Sequence, residues 1–599
     1  MPVAERGRSV SGRTTRNLIV GFVVARLLRP GGVCLCAGRD LRTPTATPGA
    51  TNHRPRVSLR ALSCLLLAIL LPCRALRAQE VPGPSPSDTS GSAGGRDTTA
   101  AAVHHVQIIR QSVFDSSELH LWYARLTNSL HFRTKAYVVR REILIDSGTR
   151  YDSTRATETA RNLRKIGVFR YVNVDSVATD SGLLMRVITK DAWSTKPYFS
   201  FRLTGGQVAF AAGVAETNVL GTTNSIDFRY SQNPDRNALR LGITLPRLIE
   251  NKIGLSGFGQ KFSDGTEWQG MIAYPFYSID QIQSYFASAR GFDGTILQFV
   301  GGDTTAADSL HREYGLFLLG GTYALRASKE GYFRVGMQAQ VRRDDFVPIP
   351  FAGPVPQTIT GATDMFVESS QAKFLVVHNY ENMGPQEDFD VSTTWHVGLT
   401  LAPSLFGYPA TGAGLETYFY YGAGHEHGFY SLEGTANGLW SSQGLDSGYV
   451  RLIGSAAVQP TDRAMAVFHL EGGLEDNQYP GEEFDLGLLF GPRAFPLHAF
   501  TGNRYFYGMT EVRHTTFTDV FKILNIGFAA FADYGGAWYS GSPVRTGIDA
   551  GAGIRLGATR LASTNGATRI DLAYRFANDA LPGKWVVVVG TGFPFISIR

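Results

Sequence analysis

Arg569-Ile570-Asp571-Leu572-Ala573-Tyr574-Arg575-Phe576, near the end of the chain, alternates without a break. Ile570, Leu572, Tyr574 and Phe576 point one way; Arg569, Asp571, Ala573 and Arg575 point the other, the period of two that marks a strand. Burying that second face in an apolar core would cost several kcal/mol, whereas a watery lumen would cost little. Thr546–Leu556 repeats the pattern, with Ile548, Ala550, Ala552, Ile554 and Leu556 set against Asp549, Gly551, Gly553 and Arg555. Strands of about 9–11 residues with one apolar and one polar face are what a transmembrane β-barrel needs.

Strand-like segments with turn signals run from just after Trp193 to Arg599. At roughly 25 residues per strand, turns included, this span predicts a barrel of about sixteen strands with a water-filled lumen. A raw count of candidate segments is nearer twenty, and the surplus is assigned to hairpins in loops or to overcounting between Asp364 and Asp485. The composition agrees: 67 glycines, 12% aromatics and a mean hydropathy of −0.07. A large soluble all-β protein would share that composition, so the alternation decides.

The ends of the chain differ in character. The net charge of +6 and the pI near 9.0 owe much to an arginine-rich N-terminal region, so they do not point to nucleic acid. Arg56 and Arg60 precede the apolar run Ala61–Leu71, with small-residue cleavage options after Ala75 and Ala78, which reads as a signal peptide over 57–78. A lipoprotein reading at Cys73 is disfavoured by Pro72. Residues 1–56 have no such logic, and translation is expected to start at Val57. All four cysteines (Cys34, Cys36, Cys64, Cys73) fall in this leader, which removes disulfides and thiolate metal sites from the rest. Residues 79–105 form a Pro/Gly/Ser/Thr-rich linker.

Between the linker and the barrel, residues 106–192 predict a small α+β domain. Val106–Phe114 reads as a strand. Asp115 and Glu118 resemble a capping box ahead of a helix carrying Leu119, Trp122, Leu126 and Leu130. Tyr137–Ile145 reads as a second strand. A helix starting at Asp152 or Ser153 buries Ala156, Ala160 and Leu163 and ends at Gly167. Strands over Phe169–Val174 and Leu183–Thr189 complete the unit.

Several ordered motifs resemble one family. Val138-Val139-Arg140-Arg141-Glu142-Ile143-Leu144-Ile145, Gly148, Tyr151-Asp152, Glu158-x-x-Arg161-x-Leu163-Arg164, Gly167-Val168-Phe169, Val172-x-Val174 and the closing Lys190-Asp191-Ala192-Trp193 resemble a POTRA domain. Glu216-x-Asn218-x-Leu220-Gly221 resembles an early barrel turn. Gly491-Pro492-Arg493-Ala494-Phe495, then Gly502-Asn503-Arg504, Glu511-Val512-Arg513 and Phe531-Ala532-Asp533-Tyr534-Gly535, resemble the Arg-Gly-Phe loop and following strands of the BamA/TamA superfamily of outer-membrane barrel assembly and translocation proteins. The resemblance covers residues 106–599, with a single POTRA domain ahead of a barrel at 193–599.

The resemblance implies that the loop folds back into the lumen, where Arg493, with Phe495 and Glu511 nearby, is anchored on Asp533 by charge-assisted bonds. It also implies that Asp533 reversed in charge would partly rescue a reversed Arg493. Ala494 replaces the family's glycine, and alanine would be strained there if the position needs positive φ. Gly590, Phe593 and Phe595 resemble a barrel C-terminal signal, although Val588 replaces its polar residue and the chain runs on to Arg599. The first strand is placed near Tyr198–Thr204 and the last at about Trp585–Phe595, with Gly590 and Gly592 weakening a seam between them.

The expected function is that of an outer-membrane protein assembly, insertion or translocation factor, with the POTRA domain in the periplasm and client strands templated at the seam and the POTRA edge. Its partners would be outer-membrane lipids, unfolded outer-membrane or secreted client proteins, and periplasmic chaperones or accessory proteins. The alternatives are a passive pore and a dedicated partner-secretion transporter, the latter usually carrying two POTRA domains and a plug helix. No catalytic residue, cofactor, metal or nucleic-acid partner is expected. His425-Glu426-His427 offers a metal pair without a convincing third ligand, His104-His105 sits at the linker edge, and Gly301-Gly302-Asp303 reads as a turn.

Overall fold

A computed structural model describes residues 102–594 apart from 181, 205–206, 250–251, 279–280, 300–307, 329, 349–354, 385, 426, 478–481, 488–489 and 561–565. The expected leader with its cysteines, the signal peptide, nearly all of the linker, Gly301-Gly302-Asp303, Glu426 and Phe595 lie outside the described residues.

The small domain comprises β1 (Val103–Gln111), α1 (Trp122–Leu130), α2 (Ala136–Arg140), α3 (Ser153–Ile166), β2 (Phe169–Thr179) and β3 (Gly182–Asp191). β3 lies in the middle of the sheet, parallel to β1 and antiparallel to β2. Asp152 caps α3 by accepting from the amides of Thr154 and Arg155, and Gly167 ends it at φ +73°. Ala156, Ala160 and Leu163 then pack with Val172, Met185 and Val187. The strand expected over Tyr137–Ile145 is instead α2 and the turn after it. Val138 and Val139 are both buried. A strand would have turned these neighbours to opposite faces, whereas one helical turn buries both. α1 follows the predicted spacing, but Trp122, Leu126 and Leu130 face outward.

From Thr195 the chain forms a closed transmembrane β-barrel of twenty antiparallel strands among the described residues, from Thr195–Thr204 to Lys584–Thr591. This corrects the expected sixteen. Many connections are tight, such as Ser263-Asp264 and Gln443 with its neighbours, so each strand uses less chain than the estimate allowed. No described helix is long and apolar enough to cross a membrane. The wall alternates as its sequence does: Phe317, Leu319, Tyr323 and Leu325 on one strand, and Ile570 and Leu572 on another, are exposed to the outside.

Since the chain enters the first strand from the small domain, the turns at 217–224 and 521–523 and the described residues within 275–282, 372–392 and 559–567 share that proximal rim. The connections at 233–236, 477–503 and 539–546 lie on the distal rim. Two further hairpins sit apart from the wall sheet: Phe374–His378 with Gln386–Asp390 from the proximal rim, and Phe484–Leu486 with Phe500–Gly502 from the distal rim. Their side chains join one buried cluster that includes Tyr380, Phe389, Phe495, Phe500 and Tyr507. The interior is therefore packed in this region, and the expectation of charged strand faces bathed in lumen water is corrected. Arg569, Asp571 and Arg575 are each no more than 3% exposed.

Candidate functional site

The buried charges converge on the distal loop. Inward phases of four consecutive wall strands supply Glu511 and Arg513 (Arg504–Val520), Asp533 (Leu524–Trp538), Asp549 and Arg555 (Gly547–Ala558), and Arg569 and Asp571 (Thr568–Arg575). Two like-charged pairs stand directly opposite each other across the ladders, Asp533 with Asp549 and Arg555 with Arg569. Such pairs destabilise a sheet unless neighbours compensate.

Glu511 and Asp571 hold the arginine pair, and Arg493 supplies the compensation for the acidic one. Its Nε donates to Asp533 Oδ2 at 2.6 Å and its Nη2 to Asp533 Oδ1 at 3.1 Å, a fork. Nη1 reaches Asp571 Oδ2 at 3.0 Å and Glu511 Oε2 at 3.3 Å. The guanidinium lies 3.6 Å from the centre of the Phe531 ring. Glu511 is further held by Arg555 at 2.7 Å and Arg513 at 2.9 Å. Without Arg493, the named wall residues pair three arginines with four acids; the loop arginine balances them.

Ala494 is buried with an ordinary backbone, so the strain expected there is absent. Its amide donates to Asp549 Oδ2 at 3.0 Å, and it packs in one cluster with Phe531, Val586 and Val588, the last two from the final strand. Phe495 is fully buried, 5.0 Å from Phe500, over Gly547, where a Cβ would meet its ring at 2.2 Å. Only glycine leaves that ring its place.

The loop also grips the first strands. Leu497 N donates to Gln207 Oε1 at 3.1 Å. His498 is bonded to Asp485 at 2.8 Å and to Asp235 at 3.0 Å while stacking on Phe299 at 3.4 Å. Burial pulls its imidazole down, but the two carboxylate hydrogen bonds outweigh this and push it up to about 9. Burial lifts Glu483 in the same loop to about 7.

The barrel seam lies between these two anchorages. Ten register pairs join the first strand to the second, and eight join the last to its predecessor. Among the described residues, the first and last strands share one, Val588 with Arg202. The last strand ends at Thr591, short of the expected Phe595. Gly590 pairs with Arg569. Gly592 turns the chain at φ +66°, and Phe593 enters the interior cluster 5.4 Å from Tyr380. Gly491 N donates to Pro594 O at 3.4 Å, joining the loop to this end.

The proximal hairpin meets the same end. Ala567 N donates to Glu381 O at 2.7 Å, and Gly592 N to Ala567 O at 2.9 Å. Arg513 and Asn525 donate to the carbonyls of Tyr380 and Met383. On its other side, Arg164 of α3 forks onto Asp388 at 2.9 and 3.1 Å, and Arg161 covers Phe374 at 4.3 Å. Lys165 is buried beside them, and burial holds its amine well below the usual range.

Arg493, Asp533 and Glu511, expected together from the sequence, meet in one buried network, and Phe495 packs beside it. Asp549, Arg555, Arg569 and Asp571 join as partners that alternation alone does not identify, and the proximal hairpin has no signal in the sequence. His425 and His427 lie at a proximal turn with ring centres 6.2 Å apart. His104 and His105 are in β1. Among the described residues, the group with metal-ligand spacing is Asp293, His311 and Glu313 on the outer wall, where Arg343 already pairs with Glu313.

No family model matches the chain, and no curated protein matches it. The chain is similar to solved barrel structures. One is BamA from Haemophilus ducreyi lacking POTRA domains 1–3, at 13% identity and a TM-score of 0.32, covering 82% of this chain and 84% of that one. CdiB from Acinetobacter baumannii is 11% identical, with a TM-score of 0.39 and coverage of 82% and 73%. CdiB from Escherichia coli is 12% identical, with a TM-score of 0.39 and coverage of 81% and 76%. Likenesses this distant carry no weight for function.

Proposed function

We propose that this protein handles other proteins at an outer membrane, admitting client strands at the seam between Thr195–Thr204 and Lys584–Thr591. The observation that carries the reading is the single described register pair there, Val588 with Arg202. A sparsely paired edge retains backbone donors and acceptors that an incoming strand can satisfy, which is β-augmentation. The distal loop, fastened to both flanks of the seam, holds the closed state. Arg493 is its anchor on the C-terminal flank, with Phe495, Glu511 and Asp533; Leu497 and His498 serve the other flank.

In this reading the small domain is a POTRA domain on the periplasmic side, and the free edge of β2 offers clients, chaperones or accessory proteins a second strand to pair with. The clients are unfolded outer-membrane or secreted proteins. The packed interior stands against a passive pore. The test is depletion followed by an inventory of the outer membrane. Loss of many barrels supports assembly, and loss of one exported protein supports a dedicated transporter. An unchanged inventory together with conductance in bilayers would replace the proposal by a channel.

A further inference from the structure

Helix α1 sits at the proximal rim with its apolar side chains turned out. Trp122, Leu126 and Leu130, spaced i, i+4 and i+8, are 70%, 49% and 61% exposed, and Phe132 just beyond them is 61% exposed. Ala124 is the buried residue of the helix. A stripe of this size costs free energy in water and calls for a cover.

What lies at each end of the helix names the cover. Tyr123 OH donates to Phe521 O at 2.7 Å, at the turn where Phe521 and Ile523 are exposed, next to exposed Phe517 in the strand before it. Phe517 pairs with Ile526 in register, so the two share one face of the wall, outside the barrel. Beyond the other end, Lys135 N donates to Gly221 O at 2.9 Å, beside exposed Leu220. The 521–523 turn belongs to the C-terminal strands and the 217–224 turn to the N-terminal ones. The segment 114–135 therefore passes beneath the seam, with Trp122, Leu126, Leu130 and Phe132 exposed between these two turns. Charge agrees: residues 119–141 contain no Asp or Glu, while Arg125, Arg133, Lys135 and Arg140 are exposed. A short helix with an aromatic and leucine face and cationic flanks is built to lie in the headgroup region of an anionic bilayer.

We propose that α1 is an interfacial membrane helix, seated in the leaflet at the small-domain end directly under the seam, and that its partner is phospholipid. The lipid at the opening then lies against the protein's own helix, where a client strand would enter.

The test uses the full chain, with its four cysteines replaced, in vesicles of phosphatidylethanolamine and phosphatidylglycerol. Spin labels are placed at Leu126→Cys, at Val512→Cys on the lipid-facing wall, and at Asp180→Cys in the exposed β2–β3 turn. Relaxation by oxygen and by a water-soluble nickel complex reports depth. The label at 126 is expected to resemble the one at 512, with nickel accessibility several-fold below that at 180. In vesicles of phosphatidylcholine alone, the label at 126 should move toward the aqueous value. A label at 126 that matches 180 in both vesicles overturns the proposal. The same holds if it becomes protected only when an unfolded barrel polypeptide is added, which would make α1 a client-binding face instead.

Discussion

Arg493 and Asp533 form a two-point fork at 2.6 and 3.1 Å, yet Arg493 does not belong to Asp533 alone, because its Nη1 also reaches Asp571 and Glu511. Exchanging the two charges would set an acid at 493 against Glu511 and Asp571. The swap is therefore expected to rescue nothing, in contrast to what a simple pair would allow. Arg493→Gln should remove about 3–5 kcal/mol, the cost of stranding buried carboxylates, while Asp533→Asn should cost less, since Arg493 keeps two acids. The midpoint of heat modifiability in gel mobility checks the order of the three variants.

Ala494→Gly separates strain from packing. With ordinary φ at this position, glycine relieves nothing and loses the methyl packed with Val586 and Val588. A loss of roughly 0.5–1 kcal/mol is expected. A gain on the same midpoint would show that the alanine was strained after all.

His498 gives the loop a pH dependence of definite sign. Its folded pKa of about 9 stands above the unfolded value near 6.5. The stabilisation it brings is complete below about pH 6.5 and fades as pH rises through about 9. Glu483, raised by burial to about 7, weakens the loop in the same direction from about pH 4.5 to 7. Protease cleavage within 477–503 should quicken between pH 6.5 and 9.5, and His498→Gln should flatten that rise.

Cysteines at Val588 and Arg202 would occupy the one described register pair of the seam. Directly opposed strand positions suit a disulfide. The oxidised variant is expected to keep its barrel, lose client handling in the outer-membrane inventory, and recover it with reductant. Full activity with the bond closed would remove the seam from the mechanism.

Replacing the hairpin 374–390 by a short Gly-Ser linker should raise single-channel conductance in planar bilayers by several-fold, since its aromatic side chains fill the proximal interior. Unchanged conductance would mean that the distal loop alone seals the barrel.

The wall was legible where a period of two runs unbroken, as in Thr568–Arg575 and Gly547–Ala558. Residues such as Ile570 and Leu572 face lipid whatever the lumen holds. The state of the inner face was not legible. Arg569 and Asp571 look the same whether water or an opposing arginine solvates them, and the opposing arginine comes from a loop more than 70 positions away. Tyr137–Ile145 misled because its valines are strand formers in isolation, and tertiary packing overrode that preference. The stripe on α1 had the right spacing, but spacing names a face without saying what covers it.

The proximal hairpin has one more consequence. Asp388 is gripped by α3, while Glu381, at the far end of the same hairpin, holds Ala567, which in turn receives the amide of Gly592. The small domain cannot swing away while these bonds persist without drawing the hairpin from the mouth and loosening the terminus of the last strand. Unsealing the barrel and freeing its final strand would then be a single cooperative event.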